Sequence, residues 1–235
     1  DEPRARAVRE VFVSLFERGL IYKGDYIINW CNRCHTALAD DEVEHEPRAG
    51  KIYTIKYPLA SGDGHLVVAT TRPETMLGDT AIAVHPEDER YSHLVGQYAV
   101  LPLVGRKLPI IGDAYVDREF GTGCLKVTPA HDMNDWELGR THDLEVLAIL
   151  DEDGNVNDNA PAKYQGMHKD AARRAVVEDL EAEGLLVDIQ DHEHSVGECY
   201  RCKSVIEPHV STQWFVAMRP LAEKARAAVP GETRI

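Results

Sequence analysis

Gly121-Thr122-Gly123-Cys124-Leu125-Lys126-Val127-Thr128-Pro129-Ala130-His131-Asp132-Met133-Asn134-Asp135-Trp136 is the stretch whose reading decides the fold. Its first half, Cys124 to Thr128, is a short strand-like run that Pro129 closes, since proline cannot donate to a ladder. Its second half crowds an imidazole and two carboxylates behind that strand, with Lys126 and Thr128 just before them. If a helical turn starts at Ala130, Asp132 and Asp135 share a face. Such a pair suits a ligand ammonium together with a hydroxyl or a water. The same spacing also describes an ordinary helix N-terminus, where both aspartates complement the dipole. The residues of this stretch alone leave both readings open.

A second stretch, Ala69-Thr70-Thr71-Arg72-Pro73-Glu74-Thr75-Met76-Leu77-Gly78-Asp79, sets three threonines around one arginine. Hydroxyls beside a guanidinium make a donor-rich wall for phosphate or ribose oxygens. Thr71 to Glu74 equally fits a capping box with Pro73 in the first turn. The two readings are compatible.

Working outward, strand-like runs lie at Ile52 to Tyr57, His65 to Thr70, Thr80 to Val84, Tyr98 to Leu103, Lys107 to Ile111, Cys124 to Thr128 and Val146 to Leu150. Turn signals separate them, among them Ser61-Gly62-Asp63-Gly64, Val104-Gly105-Arg106 and Asp153-Gly154-Asn155. Short strands with Gly/Pro punctuation predict a barrel or strongly curved sheet. Helical spacing of Val8, Val11, Phe12, Leu15 and Phe16 predicts a helix over residues 4–19 that stops at Gly19. Ala172, Val176 and Leu180 predict another over 168–183, with Gly184 as its stop and a solvated acidic face. Gln213-Trp214-Phe215 and Leu221 to Val229 read as a strand and a helix, and Asp151 to Pro161 as a polar loop. The expected class is α+β, a curved, barrel-like β core with flanking helices.

Cys31-x-x-Cys34 and Cys199-x-x-Cys202 are paired knuckles, while Cys124 stands alone and reads as a small buried hydrophobe. Four thiolates at this spacing suit a tetrahedral structural zinc with no open position, so no catalytic metal is expected. Disulfides are the weaker reading in a reducing compartment. Because the knuckles lie far apart in the chain, such a zinc would staple its two ends into a small zinc-ribbon-like base. His192, His194 and His209, near the second knuckle, are taken as surface histidines because four cysteines complete the ligand count. The organisation expected is a helix and connection over 1–30, a knuckle base from 31–50 and 190–215, a central domain over 51–189, and a returning helix over 216–235.

With 235 residues, 43% of them hydrophobic and 7% aromatic, one sizeable core plus a satellite unit is affordable. A formal charge of -14 argues against a free-standing nucleic-acid binder, which grips phosphates with Lys and Arg. No apolar run approaches the roughly 20 residues needed to span a bilayer, and Asp1 begins no signal-like segment. No membrane partner is therefore expected, and the cytoplasm is the expected location.

ATTRPETMLGD, FGTGCLKVTPAHDMNDWELGRTHDL and NWCNRC together resemble the editing domain, the connective peptide 1 insertion, of the valyl-tRNA synthetase family. Isoleucyl enzymes typically read Thr-Thr-Thr-Pro-Trp-Thr in the first segment and leucyl enzymes Thr-Thr-Arg-Pro-Asp-Thr; Glu74 after Pro73 favours the valyl branch. The resemblance runs from Gly19 through Phe215 and implies hydrolytic proofreading of threonyl-tRNA(Val), with threonyl-adenylate as a second substrate. Such a second sieve is needed because an apolar valine pocket cannot strongly reject the isosteric hydroxyl analogue, a limit for which the valyl enzyme is itself the worked case at about a hundredfold. Carried over by motif position, Asp132 and Asp135 hold the ammonium and the threonine hydroxyl. Lys126 and Thr128 orient water or the carbonyl. Thr70, Thr71, Arg72, Glu74 and Thr75 line the pocket and the nucleotide side, Phe120 forms a packing wall, and His131 is a substrate-side or structural residue.

The implied partners are the 3′ end of tRNA(Val) carrying threonine and the remainder of a synthetase chain, with this piece itself monomeric. Neither His-x-Gly-His nor Lys-Met-Ser-Lys-Ser occurs, so no ATP-dependent synthesis is expected. Two competing readings are an isoleucyl or leucyl editing domain, and a non-catalytic zinc-stapled RNA-binding module. The latter calls for a basic face with exposed aromatics.

Overall fold

The strand that opens the signature stretch, Cys124–Val127, lies at the edge of a mixed four-stranded sheet and pairs antiparallel with Ala81–Val84, every residue of which is buried. The computed structural model describes residues 1–228. In chain order its elements are α1 (Glu2–Glu17), β1 (Ile21–Cys31), β2 (Thr36–Leu38), β3 (Val43–Pro58), β4 (His65–Thr70), β5 (Ala81–Val84), β6 (Tyr98–Val100), β7 (Lys107–Gly112), β8 (Cys124–Val127), α2 (Met133–Thr141), α3 (Lys169–Ala182), β9 (Leu186–Cys199), β10 (Glu207–Val216) and α4 (Met218–Ala228). Short 3-10 turns occupy Asp40–Glu42, Pro73–Gly78 and Ser92–Leu94. Of the helix expected over Leu221 to Val229, Val229 lies outside the described residues, as do the last residues of the region 216–235.

The strands form three sheets, ordered β10-β1-β2, β4-β3-β9 and β6-β7-β5-β8. The chain is thus mixed α/β with flanking helices. Among the described residues these are open sheets, and the expected barrel is not formed by one closed ladder. The main core joins Ile55, Tyr57, Leu66 and Val68 of one sheet to Ile82, Leu108 and Ile110 of the other, and α3 covers it with Ala172, Val176 and Leu180. Fully burying each such Leu or Ile contributes about 1.5–3 kcal/mol, enough to hold a cavity wall in place.

Two compact units are distinguishable, one of residues 1–26 with the described residues from 211 on, the other of residues 27–210. In the first, α1 buries none of its residues, and Phe12 and Phe16 pack edge-on against Trp214 at 5.4 and 6.3 Å between ring centroids.

In the second, β3 and β9 form a long antiparallel ribbon from Val43↔Cys199 to Thr54↔Asp188. A Cβ on Gly50 would stand 2.6 Å from the His194 ring, so a larger residue there would oblige that imidazole to move from where it crosses the ribbon.

Two expectations are corrected here. Val146 to Leu150 is no strand beyond one bridge, Leu150↔Val156. Side chains satisfy its backbone instead: Ile149 N donates to His131 Nε2, and Ala148 O accepts from Asn157 and Asn159. The expected turn at Ala130 gives way to α2, which begins at Met133 with Asp132 as its N-cap.

Candidate functional site

A cleft of about 330 Å³ opens where β4, the Pro73–Gly78 turn, β8 and the start of α2 meet the β3–β9 ribbon. Its walls bring together Thr70, Thr71, Arg72, Thr75, Phe120, Lys126, His131, Asp132 and Asp135 of the expected set. They also include Ile52, Tyr115, Asn134 and His192. His192, expected on the surface, lines this cleft and stacks on His194 with centroids 5.8 Å apart.

The two aspartates differ in circumstance. Asp132 is exposed, and its Oδ1 accepts the Asn134 and Asp135 N–H groups at 2.8 and 3.1 Å, so it performs the helix-capping role. Asp135 is 5% exposed, and its Oδ2 accepts the Thr128 N–H at 2.8 Å. Its other oxygen has no protein partner among the described residues. Burial pushes the Asp135 carboxyl up to about 7 against the opposing pull of Lys126, and Asp132 adds to the rise. A cationic ligand would therefore find one fixed and one open oxygen on a carboxylate that gains from being neutralised.

Below the cleft floor lies a network that sequence reasoning missed. Asp79, fully buried, accepts from Thr128 Oγ1 at 2.6 Å, Tyr57 OH at 2.8 Å and Lys126 Nζ at 3.3 Å. Lys126 Nζ also donates to Thr75 Oγ1 at 3.3 Å and to Thr128 Oγ1 at 2.5 Å, so all three of its protons have protein acceptors. Burial raises the Asp79 carboxyl, with Lys126 the largest opposing influence. Thr128 consequently sits beneath the lysine with its hydroxyl committed and lies outside the cleft lining. The only sequence hint for Asp79 was its place at the end of the threonine-arginine stretch; its partners are remote in the chain.

The capping box expected at Thr71 to Glu74 is also replaced. Arg72 caps the 3-10 turn without a side-chain bond, and Thr75 Oγ1 donates back to Arg72 O at 3.0 Å. Glu74, expected at the pocket wall, is fully buried and absent from the lining because both its oxygens accept from Arg173 of α3 at 2.8 Å. Those two bonds and Arg72 keep the Glu74 carboxyl below its usual range although burial opposes them. Arg72 donates to Glu74 at 3.4 Å, to His131 O at 3.1 Å and to Glu207.

His131 is buried and accepts from Ile149 N at 2.9 Å through Nε2, which assigns its proton to Nδ1. Burial, aided by Arg72 and Lys126, lowers its pKa to about 3, so the ring is neutral. Phe120 stands 72% exposed on the rim with Tyr115, whose phenol is raised by burial and by the two aspartates.

Cys31, Cys34, Cys199 and Cys202 converge at the far end of the ribbon, with all four sulfurs within 4.8 Å of one another and none in a disulfide. A tetrahedral ion with metal–sulfur bonds near 2.3 Å calls for sulfurs about 3.8 Å apart, which this spacing accommodates. Cys124 lies elsewhere, buried in the main core.

The family model described as tRNA synthetases class I (I, L, M and V) matches residues 1–234. The whole chain aligns with valine--tRNA ligases: 62% identity over 237 residues in Geobacter sulfurreducens, 59% over 236 in Syntrophotalea carbinolica and 56% over 235 in Thermotoga maritima. It spans 27%, 26% and 27% of those proteins, about a quarter of their length. On the full-length match of both the family model and these relatives, the chain belongs to the class I tRNA synthetases.

Proposed function

We propose that this chain is the editing domain of a valine-type synthetase and hydrolyses the ester linking threonine to the 3′ end of tRNA(Val), with threonyl-adenylate as a further substrate. The observation that carries the reading is Asp135, whose buried carboxylate offers one open oxygen to a cleft it shares with Asp132 and Lys126. One aspartate takes the α-ammonium, the other the threonine hydroxyl. Valine would leave that second acceptor unmatched, at about 1–3 kcal/mol if it is desolvated. Lys126, held by Asp79, supplies a fixed positive field for the developing oxyanion. A water attacks the ester carbonyl, the carbonyl carbon–ribose oxygen bond breaks, and the ribose oxygen leaves with a proton as a hydroxyl. An aminoacyl ester is already activated, so placement of water and charge suffices without a side-chain nucleophile.

The four-cysteine cluster suits a structural zinc, and four thiolates complete its coordination. In this reading the curved β core and the cysteine base form one insertion within a cytoplasmic synthetase, and the rest of the enzyme supplies ATP chemistry and most of the grip on tRNA. The test is deacylation of threonyl- and valyl-tRNA(Val). Threonine is expected to be released at least about 30-fold faster, within the range a buried unmatched polar group allows. Asp135→Ala is expected to lower the threonyl rate at least about 100-fold, the scale of losing one preorganised group. Equal rates on the two esters would overturn the assignment.

A further inference from the structure

Arg72 reaches the cleft wall through three anchors on separate segments: Glu74 in the 3-10 turn, His131 O in the loop before α2, and Glu207 at the first position of β10. The carboxylate anchors are unequal. Both oxygens of Glu74 are engaged by Arg173, and the Arg72 contact to it is long at 3.4 Å. Glu207 instead divides its oxygens, Oε2 to Arg72 Nη2 and Oε1 to Lys169 Nζ at the start of α3. Glu207 is 6% exposed, whereas the Arg72 side chain keeps 26% of its surface and lines the cleft. A planar guanidinium fixed at Nη1 and Nη2 can no longer rotate about its last bond.

From this geometry we propose that Glu207 is a positioning residue for the cleft: it sets the plane and reach of Arg72 and thereby the binding of the aminoacyl-ester substrate, while touching no substrate itself. The proposal rests on the functional reading above for its kinetic consequence, but not for its structural one. Lys169 neutralises Glu207 from the far side and does not face the cleft lining. Glu207 also begins the strand that follows the second cysteine knuckle, five residues after Cys202.

Replacing Glu207 alone leaves the half-buried Lys169 and Arg72 without their shared counter-charge and threatens folding. The test therefore compares Lys169→Met, which keeps the Glu207–Arg72 pair, with Lys169→Met/Glu207→Gln, which removes both members of the Lys169–Glu207 ion pair at similar volume. In the full 235-residue chain, the Arg72 Nε–Hε signal, assigned with Arg72→Lys, is followed by nitrogen-15 NMR and hydrogen exchange. Lys169→Met is expected to leave its position intact, whereas the double variant moves it toward the solvent-exposed arginine position with at least tenfold faster exchange. With threonyl-tRNA(Val), the double variant is expected to raise KM about tenfold with kcat within twofold of the parent. An unmoved Arg72 signal overturns the proposal, as does the same loss in Lys169→Met alone, or an unchanged KM beside a moved signal. If the parent chain hydrolyses no aminoacyl ester, the functional reading fails, and the NMR comparison still decides the positioning claim.

Discussion

The two compact units invert each other's chemistry. In residues 27–210 the charges go inside: Glu74, Asp79, Lys126 and Glu207 are buried, and each is met by a partner of opposite charge. In residues 1–26 and from 211 on, the apolar groups stay outside: Val8, Val11, Phe12, Val13 and Phe16 of α1 and Trp214 are exposed. Buried and paired charge is costly to assemble. Contiguous exposed apolar surface in general accompanies contact with another surface.

This contrast can be broken experimentally, and metal removal carries the largest effect. The purified chain is expected to hold about one zinc, read by elemental analysis, and a strong chelator is expected to lower its stability by several kcal/mol, because site assembly is coupled to folding. Well under one equivalent of metal, or a thermal midpoint indifferent to the chelator, would sink the proposed staple.

Asp79→Ala comes next. It leaves the Lys126 ammonium without its counter-charge and strips the Tyr57 and Thr128 hydroxyls of their acceptor. A loss of about 3–5 kcal/mol by urea denaturation is expected; a loss below about 1 kcal/mol means that the buried network contributes little.

The pH dependence sharpens the comparison further. Asp135 has its folded pKa raised to about 7 against about 3.9 unfolded, so its contribution is full below about 4 and is lost as pH rises to 7. His131 has its folded pKa lowered to about 3 against about 6.5 unfolded, so its contribution is full above about 6.5 and is lost as pH falls toward 3. The windows overlap with opposite signs. Between pH 4 and 6.5, Asp135→Asn should therefore gain stability with pH relative to the parent, and His131→Gln should lose it. Parallel curves for all three chains would contradict both assignments.

The smallest effect is expected in the other unit. Val8→Ser with Val13→Ser should change stability by no more than about 0.5 kcal/mol in urea denaturation, as for exposed positions generally. A large destabilisation would show that α1 packs more than its exposure implies.

What the sequence made legible follows the range of the interaction that decides each feature. His65 to Thr70 was read to the residue because a local apolar pattern between turns is sufficient. The helix expected over 168–183 appears as Lys169–Ala182, because a 3.6-residue period and a glycine stop are local signals as well. β9 went unread because Asp188-Ile189-Gln190-Asp191-His192-Glu193-His194 carries no apolar alternation; its partner β3 holds it extended. Val146 to Leu150 misled for the opposite reason: Ile149 and Leu150 are apolar because they are buried, and the segment pairs only through one bridge. Within the cleft, the crowding of Lys126, His131, Asp132 and Asp135 was visible as composition. The commitments of Glu74 to Arg173 and of Arg72 to Glu207 were not, since each partner lies far along the chain.

The β3–β9 ribbon has a consequence for how far this architecture tolerates change. From Val43 to Thr54 it spans roughly 37 Å at about 3.4 Å per residue, and it is the beam between the sulfur cluster and the cleft. Successive side chains alternate between its faces, so lengths are counted in parity as well as distance. Removing one residue from each strand on the beam would turn His192 and Ile52 outward relative to the cysteines. Removing two from each would shorten the beam by about 7 Å and keep both facing the cleft. Natural variation in its length should therefore come in even steps.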